Sequence, residues 1–459
     1  MEVTLTNGTK VRCEDKPFNQ GAEGEIYWAE GKTHVIKLYF GADPLTQQRR
    51  QQTIHNIIDK FNLVKEDPSR QAFFGWPDAM VTTVIAGQQR LGIRMPAVKD
   101  ALPLERYVRA KFWQTLPPTE RGSWHTRVSI AYRMARIMRW MHLRGLCHSD
   151  LSPKNFLVNI NSGQTTLIDC DGLVVPGVQP PGVLGTPQMM APELVMGKTL
   201  PTVNSDKHAL AVLIYWTFLL RHPLQGPKTH DPDPEKDEQL AYGAKALYIE
   251  HPTDHSNQPG RLPFTSALLT PAVRSLFNKA FVLGLHDPLK RPSAAEWEAA
   301  LVRLADQLVP CANPACPMKA FVVLDTHGIK CPWCATPVNY ARELPLLLLY
   351  RTGMKKGSYV SDDWQIAGYP NRRLSLHHAD TNKQPAPGVP APAVAHFEMD
   401  SVGRWVLVND ELDDAHVLET VGASPLKRGS RVELKPGLRI LMGRTDNYRV
   451  GYVRMVRTA

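Results

Sequence analysis

The segment His148-Ser149-Asp150-Leu151-Ser152-Pro153-Lys154-Asn155, with Asp169 fourteen positions further on in Leu167-Ile168-Asp169-Cys170-Asp171-Gly172, constrains this chain more than any other feature. An apolar helix precedes it, the strand-like run Phe156-Leu157-Val158 follows, and Asp169 closes a second apolar strand. A carboxylate that can accept a hydroxyl proton, then an amide and a second carboxylate that can hold magnesium as hard oxygen ligands, form a set suited to phosphoryl transfer. That chemistry needs positioning and charge neutralisation more than covalent participation, which is why these residue types suffice.

Further landmarks follow in a telling order. Gly21-Ala22-Glu23-Gly24-Glu25-Ile26 keeps two glycines of a phosphate-covering loop, with Asn19 where a first glycine belongs, and Val35-Ile36-Lys37 ends a hairpin turning at Glu30-Gly31-Lys32. Downstream lie Gly185-Thr186-Pro187-Gln188-Met189-Met190-Ala191-Pro192-Glu193, then Asp206 opening a long apolar helix, and Arg291 in Asp287-Pro288-Leu289-Lys290-Arg291-Pro292. Together these resemble the eukaryotic-like protein kinases over about residues 10 to 305.

The resemblance implies an α+β, two-lobed protein-kinase fold, with an N-lobe over 1–97 and a C-lobe over 98–306. It implies ATP and Mg2+ as cofactors and serine or threonine of a partner protein as acceptor. Asp150 would be the base, Asn155 and Asp169 the magnesium ligands, and Lys37 the holder of the α- and β-phosphates, with Lys154 reaching the γ-phosphate. Gly21 and Gly24 would let backbone amides approach the nucleotide. Ile26 and Val35 would cover adenine from above and Leu157 from below, and Met95-Pro96-Ala97-Val98 would link the lobes, the Pro96 carbonyl and the Val98 amide facing the base. Asp206 would brace the catalytic loop, and Arg291 would pair with Glu193 in a dry site. For each apolar residue, ordinary core packing is an equal reading.

Departures from the family pattern bear on control. Ser149 replaces the arginine that receives an activation-loop phosphate, and no Ser, Thr or Tyr lies between Asp169 and Thr186, where Pro176, Pro180 and Pro181 stiffen the loop instead. Activation by phosphorylation of that loop is therefore not expected. The helix that should present a glutamate to Lys37, roughly residues 44 to 62, is without acid over Gln47-Gln48-Arg49-Arg50-Gln51-Gln52-Thr53-Ile54-His55-Asn56. Gln51 or Gln52 could bond Lys37 neutrally, Glu66 could reach it, or nucleotide alone could hold it. In Asp169-Cys170-Asp171-Gly172 the metal ligand is read as Asp169, with Asp171 an extra carboxylate near the metals.

Four of seven cysteines, Cys311, Cys316, Cys331 and Cys334, gather after the kinase-like region with the spacing C-x4-C, fourteen residues, C-x2-C. Two thiolate pairs flanking a short hairpin such as Ala320-Phe321-Val322-Val323-Leu324 suit structural Zn2+, so a zinc ribbon is expected over 307–340. Two disulfides are the alternative, against which stands the lack of a secretion signal after Met1. Residues 341–459 read as a small β-sandwich with a Pro-rich segment over 384–393, and Ser375-Leu376-His377-His378-Ala379 together with Lys435-Pro436-Gly437-Leu438-Arg439-Ile440-Leu441-Met442-Gly443 resembles the forkhead-associated fold. No Gly-Arg pair precedes Ser375 at the usual distance, and a generic β interaction module fits as well.

Of 459 residues 43% are apolar and 21% charged, and no apolar run reaches membrane-spanning length, so the cytoplasm is the expected location. The net charge of +10 is diffuse, without basic clusters interleaved with aromatics, so nucleic acid is not an expected partner. Three functions fit: an active protein kinase, a catalytically weak kinase-like scaffold that recruits partners through the ribbon and β-domain, and a small-molecule phosphotransferase, which would lack the Thr186, Glu193 and Arg291 set. The whole arrangement resembles bacterial kinases encoded beside a protein phosphatase and a von Willebrand A-domain protein, which implies the latter as substrate and the former as antagonist.

Overall fold

In the computed structural model all residues are described except 86, 176–184, 230, 263, 325–328, 339–341, 356, 386–391, 445 and 458–459. By contacts the chain forms two compact units, one of residues 1–116, 130–263 and 275–298, the other of residues 117–129, 264–274 and 299–459. Among the described residues no helix is long and apolar enough to cross a membrane.

In the first unit, alternation of apolar residues builds an antiparallel sheet from β1 (Glu2–Leu5), β2 (Lys10–Arg12), β3 (Asn19–Gln20), β4 (Gly24–Trp28), β5 (His34–Tyr39), β6 (Ala79–Ile85) and β7 (Gln88–Pro96), in the order β2-β1-β6-β7-β5-β4-β3. Period two sorts β5 into faces. Ile36 and Leu38 enter a core with Val3, Leu5, Tyr27 and Val81, whereas Val35 and Tyr39 pack with Ile54, Ile58, Ile93 and Met95 on the opposite side. Lys37 therefore emerges on the face covered by helix α1 (Pro44–His55), which starts on the Asp43 side chain accepting from the Thr46 amide.

Gly24 is explained by strand packing: a Cβ there would lie 2.3 Å from the Leu38 carbonyl oxygen. Around Gly21 such an atom would meet nothing within 4 Å, so only Gly21 is open in the way a phosphate loop requires.

Below the sheet in sequence, β8 (Leu102–Pro103), β9 (Phe156–Val158) and β10 (Thr165–Leu167) form a small sheet in the order β10-β9-β8. The Val203–Leu219 helix, capped reciprocally by Thr202 and Ser205, is apolar nearly all round and buries every residue from Ser205 to Leu219 except Lys207. A helix of that kind is a core element, and here it is the platform under the loop that carries Asp150.

In the second unit β11 (Leu308–Pro310) pairs with β12 (Ala320–Val322). The expected hairpin over Ala320–Leu324 is thus a single strand whose partner precedes the first cysteine pair. Beyond it come β13 (Glu343–Thr352), β14 (Tyr359–Ala367), β15 (Arg373–Ser375), β16 (Ala393–Met399), β17 (Trp405–Asn409), β18 (His416–Leu418), β19 (Ala423–Pro425), β20 (Arg431–Glu433), β21 (Arg439–Leu441) and β22 (Val450–Arg457). They form a six-stranded sheet, β14-β13-β22-β21-β18-β19, and a four-stranded sheet, β15-β16-β17-β20. The sheets meet where the Trp405 indole donates to the Glu343 carbonyl at 2.7 Å and Phe397 lies against Gly368. Buried Asp306 accepts from the Trp364 indole at 2.7 Å, from His378 Nε2 at 3.1 Å and from Arg372. With both oxygens engaged and a guanidinium beside it, the Asp306, His377 and His378 group is a hydrogen-bonded core and not a metal site.

Candidate active site

The Asp150 loop is fixed from beneath. Buried Asp206, on the Val203–Leu219 helix, accepts from the His148 amide at 2.8 Å and from Cys147 Sγ at 3.3 Å. His148 in turn donates Nε2 to the Ile168 carbonyl at 3.1 Å, which joins the loop to the strand leading into Asp169. Ser149 sits at φ 62° and Asp169 at φ 63°, left-handed backbone held by these contacts. The Asn155 side-chain amide donates to the Asp150 carbonyl at 2.9 Å, and the Ile168 amide donates to the Asn155 carbonyl at 2.9 Å, so Asn155 lies between the two aspartates.

Asp150 itself receives the Thr186 amide at 2.9 Å and the Thr186 hydroxyl at 2.8 Å, both on Oδ1. The neighbouring Gly185, at φ 109°, passes so close to Ser149 that a Cβ would stand 2.7 Å from its carbonyl oxygen, and only glycine fits. Further along, the Arg291 guanidinium meets Glu193 with two bonds of 2.7 Å and is wholly buried. Lys154 is exposed and makes no ion pair among the described residues. Pro176, Pro180 and Pro181 lie outside the described residues.

Lys37 is nearly buried, and its ammonium lies 2.9 Å from Asp169 Oδ1, 2.8 Å from Asp171 Oδ2 and 3.7 Å from Glu23 Oε2. Tyr39, two residues along the same face of β5, donates its hydroxyl to Asp171 Oδ2. None of the expected partners is used: Gln52 donates to Asn56 at 3.2 Å, exposed Gln51 makes no bond to it, and Glu66 pairs with Arg144 and Arg70. Asp171, expected as an extra carboxylate near the metals, is the lysine's closest carboxylate. Sequence could have pointed to Tyr39, since residues two apart on a strand share a face.

Electrostatics follow from this geometry. Burial pushes the Lys37 ammonium down, but the charges of Asp171 and Asp169 overcome it and hold the group above its ordinary range. Burial and the Asp171 charge raise the Asp169 carboxyl, whereas Asp171 is held below its usual value, the Lys37 charge and hydrogen bonds outweighing burial. The site thus offers more carboxylate than its one ammonium can neutralise, and Asp169 is the carboxylate that gains most from a further cation.

Of the residues expected around a nucleotide, three of the apolar ones lie on neighbouring strands of one sheet. Ile26 stands opposite Lys37 across β4 and β5, and Val35 stands opposite Met95 across β5 and β7. Leu157 is on β9, half-buried. The Ala97 amide is committed to the Thr33 carbonyl at 3.0 Å, while the Val98 amide has no partner among the described residues.

The four cysteines converge. Cys311 and Cys334 sulfurs are 3.5 Å apart, Cys316 and Cys331 sulfurs 3.7 Å, and all four lie within 4.8 Å of one another. Bonded disulfide sulfurs lie about 2 Å apart, whereas a tetrahedron at the usual Zn–S distance of about 2.3 Å has edges of about 3.8 Å. The thiol set therefore fits a four-coordinate soft metal.

Residues 101–299 match the family model described as the protein kinase domain. The chain is 30% identical over 236 residues to the serine/threonine-protein kinase PknD of Chlamydia abortus, covering 44% of this chain and 25% of that protein. It is 30% identical over 228 residues to PknD of Chlamydia felis, covering 43% and 24%, and 35% identical over 110 residues to the dual specificity testis-specific protein kinase 1 of Rattus norvegicus, covering 22% and 17%. The chain thus spans about a quarter of the length of the Chlamydia relatives. The matched segment contains Asp150, Asn155, Asp169, Thr186, Glu193 and Arg291, and over residues 101–299 the chain is accordingly similar to a protein kinase domain.

Proposed function

We propose that this chain is a serine/threonine protein kinase that transfers the γ-phosphoryl group of ATP to a hydroxyl on a partner protein. The observation that carries the reading is the 2.9 Å contact between Lys37 and Asp169, residues 132 apart in sequence, beside a loop whose Asp150 is oriented by Thr186. Asp150 would orient the acceptor hydroxyl and take its proton, and Lys37 would hold the α- and β-phosphates. Thr186, bonded to that same carboxylate, supports serine or threonine as acceptor. Asn155 and Asp169 would hold magnesium, which when bound neutralises charge on the phosphates. Ile26, Val35, Met95 and Leu157 would enclose adenine, with the Pro96 carbonyl and the Val98 amide as its polar contacts, and Lys154 is free to meet the γ-phosphate. The test is magnesium-dependent transfer of label from ATP to protein. Replacing Asp169→Asn should abolish it, and full activity in that variant would refute the assignment.

Control does not run through phosphorylation of the loop before Thr186, which offers no hydroxyl side chain. Phosphatase treatment of the purified protein should leave the transfer rate unchanged, and loss of activity would contradict this. Cys311, Cys316, Cys331 and Cys334 form a zinc ribbon whose metal is structural, since four protein ligands leave no open position. The two-sheet region beyond it is a forkhead-associated-like partner module, a reading supported by its two antiparallel sheets and by the segments Ser375–Ala379 and Lys435–Gly443. On the family resemblance the substrate is a von Willebrand A-domain protein, a cognate phosphatase reverses the mark, and the setting is cytoplasmic.

A further inference from the structure

Lys37 lacks an acidic partner on α1, yet its ammonium is not loose. Asp171, 5% exposed, accepts from Lys37 Nζ at 2.8 Å and from the Tyr39 hydroxyl on the same oxygen. It sits in the short turn Cys170–Gly172, whose preceding residue is Asp169. Helix α1 reaches this cluster through Arg50, whose guanidinium lies 4.5 Å from the centre of the Tyr39 ring. The carboxylate that positions the lysine and the carboxylate proposed for magnesium are therefore two residues apart on one turn.

We propose that Asp171 is the positioning residue of Lys37, doing what a helix carboxylate would otherwise do, with Tyr39 fixing its orientation. This rests on the kinase reading above. Lysine placement is then coupled to the turn that carries Asp169 and is independent of acidic groups on α1. Movement of that turn would displace lysine anchor and metal ligand together. Asp171 Oδ1 is buried without a partner among the described residues, so the competing assignment is a third metal ligand.

A binding cycle separates the two. Affinity of the full chain for a fluorescent ATP analogue with magnesium is measured for the parent, Asp171→Asn, Lys37→Met and the double variant, with melting curves to verify folding. Each single change should weaken binding about tenfold, as expected when a charge-assisted contact is lost, and the double variant should bind no more weakly than Lys37→Met alone. If Asp171→Asn binds like the parent, or weakens binding equally in the Lys37→Met background, the anchor assignment is overturned while the kinase reading stands. A parent chain that binds no magnesium–ATP overturns both. Should Asp171→Asn fail to fold, Tyr39→Phe gives the same decision: a severalfold loss with Lys37 present and none without it supports the anchor, and any other pattern overturns it.

Discussion

Removing metal from the purified chain with a chelator under reducing conditions should unfold the four-cysteine module. Among its described residues the regular structure is the pair of three-residue strands β11 and β12 with an isolated bridge between Lys330 and Pro337, and two short strands are not stable alone. What they enclose is modest: Met318, Phe321, Ile329 and Val338 are buried, and the Trp333 ring lies tilted against Trp124 at 4.7 Å and edge-on to Phe264 at 5.1 Å between centroids. Structural zinc typically contributes about 10–16 kcal/mol to small sites of this kind, far more than such a core supplies. Metal analysis should find one zinc per chain, chelation should shift Trp333 fluorescence toward a solvent-exposed spectrum, and Cys316→Ser should reproduce the shift without chelator. A chain free of zinc, or cysteines that mass analysis shows to be oxidised in pairs, would contradict the ribbon.

Replacing Arg291 with methionine should be the most damaging single change in the first unit outside the catalytic loop. The side chain is fully buried, and besides two bonds to Glu193 it donates to the carbonyls of Gly284 at 2.7 Å, Asn204 at 3.0 Å and Leu285 at 3.1 Å. Methionine fills the volume but leaves a carboxylate and three carbonyls without donors, a loss of about 3–5 kcal/mol for breaking a buried pair from one side. Glu193→Gln retains an acceptor and should cost less. Denaturant unfolding of the three proteins checks the order, and a cost below about 1 kcal/mol for Arg291→Met would show the pair to be dispensable.

Much of this site could be read from the chain because its chemistry is local. Asp150 and Asn155 share one loop and Asp169 ends the next strand, so spacing brings these three near one another, while Asp206 was placed by its match to the kinase pattern. Glu193 and Arg291 were legible as a pair through their match to the kinase pattern. The anchor of Lys37 was not, because Asp171 and Tyr39 meet it through strand-face geometry and a contact spanning 134 residues. Glu66 looked available in sequence, but Arg144 and Arg70 claim it. Gly24 read as a phosphate-loop glycine, yet the nearby Leu38 carbonyl already requires it. The partner of β12 was missed for a similar reason: Leu308–Pro310 is too short and too close to a helix end to announce itself as a strand.

The central claim is that Asp150 receives an acceptor proton during magnesium-dependent transfer from ATP. The most direct measurement is transfer of γ-labelled phosphate to serine or threonine of a protein acceptor by the full chain, beside Asp150→Ala at matched nucleotide occupancy. A positioned base typically contributes about 10²–10⁴-fold, so the variant should bind ATP normally and transfer at least about a hundredfold more slowly. Equal rates in the two proteins, or no transfer by either with nucleotide bound, would contradict the account.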